Sequence, residues 1–208
     1  MLTLPQCDTE KVLADHLTSL GGAIHGGVGA VSAKQDGDCA QVTVETTGGE
    51  AAISARYVVG GDGMYSTVRA AAGLEFDGGT YAESFVLADV RMDWPFGTSE
   101  VSLFFSPAGL LVVAPFPDGS FRIVATFDDA PEQPSLQDVQ AVIDARGPAR
   151  CRNLVKEVIR GSRFRVHHRL VKSYRSGRFF LMGDAAHLHS PAGGQGMNTG
   201  LVDAVFLG

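Results

Sequence analysis

The sequence lacks long hydrophobic runs and clusters of positive charge. Polar residues interrupt every apolar stretch well before the ~20 residues that a membrane-spanning helix requires. The first residues, MLTLPQCDTEK, also lack the basic flank and apolar run of a signal peptide. Lys and Arg number 17 against 23 Asp and Glu, a formal net charge of −6, and no Lys/Arg run forms an electrostatic footprint for nucleic acid or a membrane surface. We therefore expect a cytoplasmic protein that binds neither.

Cysteine is scarce. The three cysteines, Cys7, Cys39 and Cys151, are odd in number and widely spaced, which argues against a disulfide framework and for a reducing compartment. We expect them to be buried as small apolar residues. Hydrophobic residues make up 45% of the chain and charged residues 19%, a balance that excludes a mainly disordered protein.

Glycine, by contrast, is abundant, with 26 of 208 residues. No collagen-like period accompanies it, so many positions must form tight turns or allow something to approach the backbone closely. The length fits one domain or two small ones.

Hydrophobic spacing predicts a mixed α/β chain. A helix over residues 8–20 has Asp8 or Thr9 as its N-cap and stops at Gly21-Gly22. A second helix is predicted at residues 66–72, a third from Ser135 to about residue 145, and a last one from about Gly196. Predicted strands lie at residues 28–33, 41–46, 51–55, 57–59, 163–174 and 178–182.

Residues 80–127 alternate with period two, which predicts a mostly antiparallel sheet with one buried face. The expected buried sets are Val101, Leu103 and Phe105; Leu110, Val112 and Ala114; and Phe121, Ile123, Ala125 and Phe127. Phe104 and Phe116 are likewise assigned to the core by default.

Two segments share one order of features: an apolar strand, a glycine-rich turn containing aspartate, and a helix N-terminus. They are VVGGDGMYSTVR at residues 58–69 and FFLMGDAAHLHSPAGGQGMNTGLVDA at residues 179–204. Glycines at a strand's carboxyl end let a bulky ligand approach the backbone, and a helix beginning there offers unpaired N–H groups. A carboxylate beside them suits a sugar hydroxyl better than a bare phosphate. A nucleotide-type cofactor with a polyol part fits both segments.

These segments resemble two fingerprints of the para-hydroxybenzoate-hydroxylase-like FAD-dependent aromatic monooxygenases. The DG motif, G-[AG]-D-G-x-x-S-x-V-R, is matched at residues 60–69. The GD motif, G-D-A-A-H-x-x-x-P-x-G-G-Q-G-x-N-x-G-x-x-D-A, is matched without a gap at residues 183–204. The resemblance implies hydroxylation of a phenolic or polycyclic aromatic substrate with FAD, NAD(P)H and dioxygen. The cofactor would supply the chemistry, so no side chain is assigned as catalytic.

The resemblance also implies a role for each motif residue. Asp184, next to Gly183, would bind a ribityl hydroxyl of FAD. Amides from Gly193 to Asn198 would face the pyrimidine edge of the flavin, which adds to the cofactor-binding set Pro191, Gly193, Gly194, Gly196, Met197 and Asn198. Asp62 and Arg69, with Gly61 and Gly63, would lie near the pyrophosphate, where NAD(P)H also passes. Gln6 is similar to a family position near the cofactor.

The implied fold is α/β (α+β): an incomplete FAD/NAD(P)-binding domain plus a mostly antiparallel substrate-domain sheet. Residues 1–78 would form part of the FAD-binding domain, residues 79–176 the substrate sheet, and residues 177–208 the return to the FAD-binding domain. The family's first fingerprint, the G-x-G-x-x-G turn that holds the ADP half of FAD, is absent. We therefore expect this chain alone to hold FAD weakly or not at all, and its exposed surfaces could form a homo-oligomer.

Other interpretations of the same residues remain open. Asp62-Gly63 could be a plain hairpin turn, and Gly193–Gly196 a flexible linker. His187 and His189 suggest a metal site, but no acidic or Cys partner stands at ligand spacing. Asp184, His187 and Ser190 suggest a hydrolase triad, but no G-x-S-x-G elbow accompanies them. A non-catalytic flavoprotein module and a flavin-dependent epoxidase or dehydrogenase are the alternative functions.

Overall fold

The computed structural model describes residues 5–127, 131–148, 153–189 and 194–208. It is a mixed α/β structure whose sheets are mostly antiparallel. The helices are α1 (Gln6–Ser19), α2 (Thr67–Ala71), α3 (Leu136–Arg146) and α4 (Gly196–Leu207), with a short 3-10 turn at Gly183–Ala185. The strands are β1 (Gly29–Asp36), β2 (Cys39–Thr46), β3 (Gly49–Ala55), β4 (Val58–Gly60), β5 (Phe76–Asp93), β6 (Ser102–Ser106), β7 (Gly109–Pro115), β8 (Phe121–Phe127), β9 (Leu154–Val171), β10 (Arg175–Ser176), β11 (Phe179–Leu181) and β12 (His187–Leu188).

The chain divides into two compact units. Residues 1–23 and 81–165 form one, called the sheet unit, and residues 24–80 and 166–208 form the other, called the motif unit because both fingerprints lie in it. The boundaries differ from the predicted domains in three segments: residues 1–23 group with the sheet, and residues 79–80 and 166–176 group with the motifs. The assignment of the units to cofactor and substrate stays a prediction.

The motif unit contains two small sheets. Strands β1, β2 and β3 form an antiparallel meander, and a second sheet has the order β10-β11-β4, in which β11 and β4 run parallel. Its core is made of apolar side chains from β2, β9, β11 and α2 together with the alanines of the 3-10 turn. The central members are the fully buried Phe179 and Leu181. Burying two such side chains stabilises the unit by roughly 1.5–3 kcal/mol each.

The third sheet has the order β12-β9-β5-β8-β7-β6, in which His187 and Leu188 of β12 pair with Leu170 and Arg169 of β9. In the sheet unit, α3 packs against one face of its strands. The fully buried Leu111, Val113 and Ile123 of the sheet meet Val139 and Ile143 of the helix in this core. The helix begins where the sequence predicts, because Ser135 and Asp138 form a capping box that satisfies orphan N–H groups.

The predicted buried face is correct for β8 and wrong for β6 and β7. Leu103 pairs with Val112, and Val112 pairs with Val124, so these residues share the face opposite to α3. Leu103 is half exposed and Phe105 is 82% exposed, whereas Leu111 is fully buried. Both faces of β6 and β7 carry apolar residues, so their alternation could not reveal which face the helix covers.

The first helix ends as predicted but begins differently. Gly21 adopts a φ of +82°, and the amides of Gly21 and Gly22 donate to Thr18 and Leu17 in a Schellman arrangement. Its N-cap is Pro5, without a side-chain cap, so the prediction of Asp8 or Thr9 is wrong. The helix buries no residue, and no helix in the described ranges is long and apolar enough to cross a membrane.

The cysteine prediction fails for both cysteines that the structure describes. Cys7 is exposed and Cys39 is only half-buried, and both are free thiols. The hydrogen bond with the Asp36 carboxylate raises the pKa of the Cys39 thiol. Cys151 lies outside the described residues.

Replacing Ser135 with alanine is expected to destabilise the sheet unit by about 1 kcal/mol, because one amide of α3 loses its cap. Hydrogen bonds from the Ser135 side chain and backbone lower the pKa of Asp138. The pKa of Asp138 is thus lower in the folded state than in the unfolded state. The stabilisation by its ionised carboxylate is therefore fully present above the unfolded-state pKa and is lost as the pH falls through the folded-state pKa. Urea denaturation should show the difference from wild type shrinking in acid. Gln137→Ala, exposed on the same helix, is the control, and a loss as large as that of Ser135→Ala would refute the capping role.

Candidate functional site

The two fingerprints begin on neighbouring parallel strands. Val58 pairs with Phe179 and Gly60 with Leu181, and the Met182 amide donates to the Gly60 carbonyl at 3.0 Å. The segments that follow β4 and β11 therefore leave the same edge of the sheet side by side. Asp62 and Asp184 follow within three residues of these paired positions, so the structure brings the two acidic turns together at the carboxyl ends of β4 and β11, where open parallel sheets bind ligands.

The DG turn is organised by its own aspartate. One oxygen of the Asp62 carboxylate accepts from the Ser66 hydroxyl at 2.5 Å, and the other accepts from the Val68 amide at 3.2 Å. Ser66 in turn accepts from the Arg69 amide as the N-cap of α2. Gly63 has a φ of +79°, a conformation that favours glycine. Asp62 is exposed, but the folded chain uses both of its oxygens.

Close packing explains the glycine before that turn. A Cβ at Gly60 would lie 2.7 Å from the Cβ of Val68 and 3.0 Å from Leu181. The absence of a side chain therefore lets α2 pack directly on β4. A Cβ at Gly61 would lie 2.9 Å from the flexible end of Met182.

Arg69 links the two fingerprints. Its guanidinium donates to the carbonyl of Met64 in the DG turn at 2.6 Å and to the carbonyl of Ala185 in the GD turn at 2.9 Å. The same group lies 4.0 Å from the centre of the Phe76 ring. Burial lowers the pKa of Arg69, although the nearby Asp62 carboxylate opposes this. The sequence indicated the residue but not this bridging contact, and its place near a pyrophosphate stays a prediction.

The GD turn presents an unused carboxylate. Residues Gly183–Ala185 form the 3-10 turn, with Gly183 at a φ of +57° and Ala185 fully buried beneath it. Asp184 is exposed, and its carboxylate makes no hydrogen bond within the described ranges. It differs in this from Asp62, and it can accept hydrogen bonds from a ligand without breaking any in the protein.

His187 binds a residue that the sequence analysis did not assign. Its Nε2 lies 2.7 Å from Oδ2 of Asp203 on α4, and the same oxygen accepts from the Gly183 amide at 2.8 Å. His187 is also part of the two alternative interpretations, the metal site and the hydrolase triad. Among the residues that the structure describes, no group of three His, Cys, Asp or Glu could hold a metal ion. Ser190 lies outside those residues.

The last helix supplies backbone donors. It begins at Gly196 without a side-chain cap, so the amides of Gly196, Met197 and Asn198 have no partner within the helix. Gly194 precedes it at a φ of +62°. Pro191 and Gly193, also predicted to bind the cofactor, lie outside the described residues.

Gln6 belongs to the sheet unit, where its amide donates to Glu10 at 2.7 Å. It lines a cavity of about 590 Å³ that the sequence did not indicate. In this cavity Arg122 makes a two-pronged ion pair with Asp89, at 2.8 and 3.0 Å, and lies 5.0 Å from the Phe116 ring. The signal available in the sequence was weak, because pairing of these two residues depends on the register of β5 and β8.

Comparison with known proteins agrees with the motifs. The FAD binding domain family (FAD_binding_3) matches residues 1–208. The chain is 36% identical to the uncharacterized aromatic compound monooxygenase YhjG of Bacillus subtilis over 100% of this chain and 42% of that protein. It is also 36% identical to 6-methylpretetramide 4-monooxygenase of Streptomyces rimosus over 99% of this chain and 37% of that one. It thus spans about two fifths of these relatives.

A solved monooxygenase structure and a solved hydroxylase structure share the fold of this chain. The p-nitrophenol 4-monooxygenase of Pseudomonas putida superposes with a TM-score of 0.81 at 29% identity, covering 98% of this chain and 53% of that one. The anhydrotetracycline hydroxylase of Streptomyces rimosus gives 0.78 at 33% identity, covering 98% and 41%. Both fingerprints lie on adjacent strand ends and the family match runs over every residue, so the chain belongs to the FAD binding domain family.

Proposed function

We propose that this chain forms the riboflavin-facing part of an FAD-dependent monooxygenase that hydroxylates a phenolic or polycyclic aromatic substrate in the cytoplasm. The net reaction consumes NAD(P)H, a proton and dioxygen, and it yields NAD(P)⁺, water and the hydroxylated ring. The observation that carries the proposal is the unpaired Asp184 carboxylate at the end of β11, beside the glycine-rich end of β4.

The donor and acceptor set fits a flavin. Asp184 would accept hydrogen bonds from ribityl hydroxyls, and the free amides of Gly196, Met197 and Asn198 would donate to the carbonyl oxygens of the flavin's pyrimidine ring. The positive end of the α4 dipole would favour negative charge at that edge. The bound cofactor would supply the oxygen chemistry, while these residues hold it in place.

An apolar face of the sheet unit supports the proposal that the substrate is aromatic. Leu103, Val112 and Val124 share the face of the sheet that α3 leaves uncovered, and the exposed Phe105 continues it. The half-exposed side chains would lose contact with water when a flat ring covered them. Apolar pockets with few polar groups are typical sites for such ligands.

Titration with halves of the cofactor tests the proposal. Riboflavin carries the ring and the ribityl chain, whereas ADP represents the other half. We expect riboflavin to bind the purified chain weakly but measurably, with loss of its fluorescence, and ADP to bind more weakly still or not at all, because no G-x-G-x-x-G turn is present to hold it. Binding of ADP without binding of riboflavin would overturn the proposal that this chain holds the riboflavin half of FAD.

Replacing Asp184 with alanine is expected to weaken riboflavin binding by about 1–3 kcal/mol, because ribityl hydroxyls lose a charged acceptor. The matched control is Asp38→Ala, an exposed aspartate in the same unit that makes no hydrogen bond to the residues the structure describes. Equal affinity of the Asp184 variant and wild type would refute the ribityl role. A wild-type chain that binds no flavin but melts cooperatively would favour the non-catalytic module instead.

A further inference from the structure

We infer that His187 and Asp203 form a positioning pair that fixes α4 against the GD turn and so sets the spacing between Asp184 and the first amides of α4. This inference rests on the proposed function, because it concerns how two flavin-binding elements are held in register. Neither residue of the pair is assigned to the flavin: Asp203 acts through Gly183, and His187 acts through Asp203.

The geometry of the Asp203 carboxylate carries the inference. Its Oδ2 receives two hydrogen bonds, from the Gly183 amide at 2.8 Å and from His187 Nε2 at 2.7 Å. An ionised carboxylate only accepts hydrogen bonds, so Nε2 of His187 is the donor in this pair. One helical side chain therefore holds both ends of the turn that contains Asp184.

The last helix has few other attachments in the described part of the chain. It buries no residue, and Val205 and Phe206 are 79% and 86% exposed. The second point of contact is backbone to backbone, because a Cβ on Gly200 would lie 3.3 Å from the Cα of Gly183. Without a buried apolar face, the position of α4 depends on this glycine contact and on the Asp203 hydrogen bonds.

The surroundings of His187 favour a fixed ring. The residue is only 6% exposed, and its ring centre lies 6.2 Å from Tyr174 and 5.9 Å from His189. Its buried Nδ1 has no hydrogen-bond partner among the described residues, so within them the ring is hydrogen-bonded to Asp203 alone, while the backbone of His187 pairs with Leu170 of β9. Burial raises the pKa of Tyr174, and the negative charge of Asp203 adds to this, as expected for a carboxylate directed inward.

Amide hydrogen exchange of the 208-residue chain tests the pair without any ligand. We expect Asp203→Ala to speed exchange at Gly183 by roughly ten- to hundredfold, the factor for losing a hydrogen bond to a charged group, and to leave the β1–β2–β3 sheet unchanged. His187→Phe keeps the ring but removes the donor and should give a smaller acceleration, whereas His187→Gln should restore much of the protection. The control is Asp15→Ala, which breaks an exposed ion pair on α1.

Riboflavin affinity supplies the second readout. Asp203→Ala should weaken binding about as much as Asp184→Ala, and it should add little in the Asp184→Ala background, because it acts through Asp184. Unchanged exchange at Gly183, or exchange accelerated equally everywhere, would overturn the inference. If the wild-type chain binds no riboflavin, the proposed function fails, and the exchange result alone then decides whether the pair positions the turn.

Discussion

Replacing Gly78 with alanine is expected to cost at least about 4 kcal/mol and to prevent the motif unit from folding stably. Gly78 lies in β5 with a φ of +144°, and a Cβ added there would overlap the carbonyl oxygen of His168 and come within 2.8 Å of the Cα of Arg169. These are backbone atoms of β9, so no side-chain rotation can relieve the overlap. The conformation adds its own strain, about 1–3 kcal/mol for a non-glycine residue.

The neighbouring glycine provides a matched control for this experiment. A Cβ at Gly79 would lie 3.1–3.4 Å from the His168 ring, which is side chain rather than backbone, and the φ of Gly79 lies outside the left-handed region. We expect Gly79→Ala to change the free energy of unfolding by less than about 1 kcal/mol. Soluble yield, far-ultraviolet circular dichroism and urea denaturation measure both variants. A Gly78→Ala protein as stable as Gly79→Ala would show that β5 and β9 are not in close backbone contact at this point.

Replacing Arg69 with leucine should cost about 2–4 kcal/mol, because the change leaves the carbonyls of Met64 and Ala185 without a charged donor. Stacking of the guanidinium on Phe76 is lost as well. Lysine offers one point charge instead of a planar fork, so Arg69→Lys is expected to bond to one carbonyl and recover only part of the stability.

The control for Arg69 is Arg56→Leu, which removes an exposed arginine of the same unit and should change stability by less than about 0.5 kcal/mol. Thermal melting of the unliganded chain separates two roles for Arg69. A clamp between the two turns predicts loss of stability without any ligand. A residue that served only to bind pyrophosphate would leave the melting temperature of Arg69→Leu unchanged and lower only the affinity for FAD.

The two motif aspartates, both expected to bind the cofactor, differ in their hydrogen bonding. Asp62 and Asp184 occupy equivalent places in their fingerprints, yet Asp62 accepts hydrogen bonds from Ser66 and Val68, whereas Asp184 makes none among the described residues. The difference follows from what comes next in the chain. A short helix begins after Asp62 and places Ser66 and Val68 within hydrogen-bond distance of its carboxylate. Asp184 instead lies inside a 3-10 turn whose hydrogen bonds are made by the backbone.

Local chemistry was sufficient to locate most of the helices and strands. Ser135 starts α3 and Gly21 ends α1 because a cap needs only neighbouring residues, and the fingerprints were recognisable because glycine and aspartate occupy fixed short spacings. Long-range pairing was not accessible in the same way. Three features depend on residues that are far apart in the chain. They are the packing of one face of β7 against α3, the hydrogen bond from Arg69 to Ala185, and the hydrogen bonds of Asp203 with Gly183 and His187. Such contacts depend on strand register and helix packing, which are settled by burial over the whole unit rather than by any short stretch of residues.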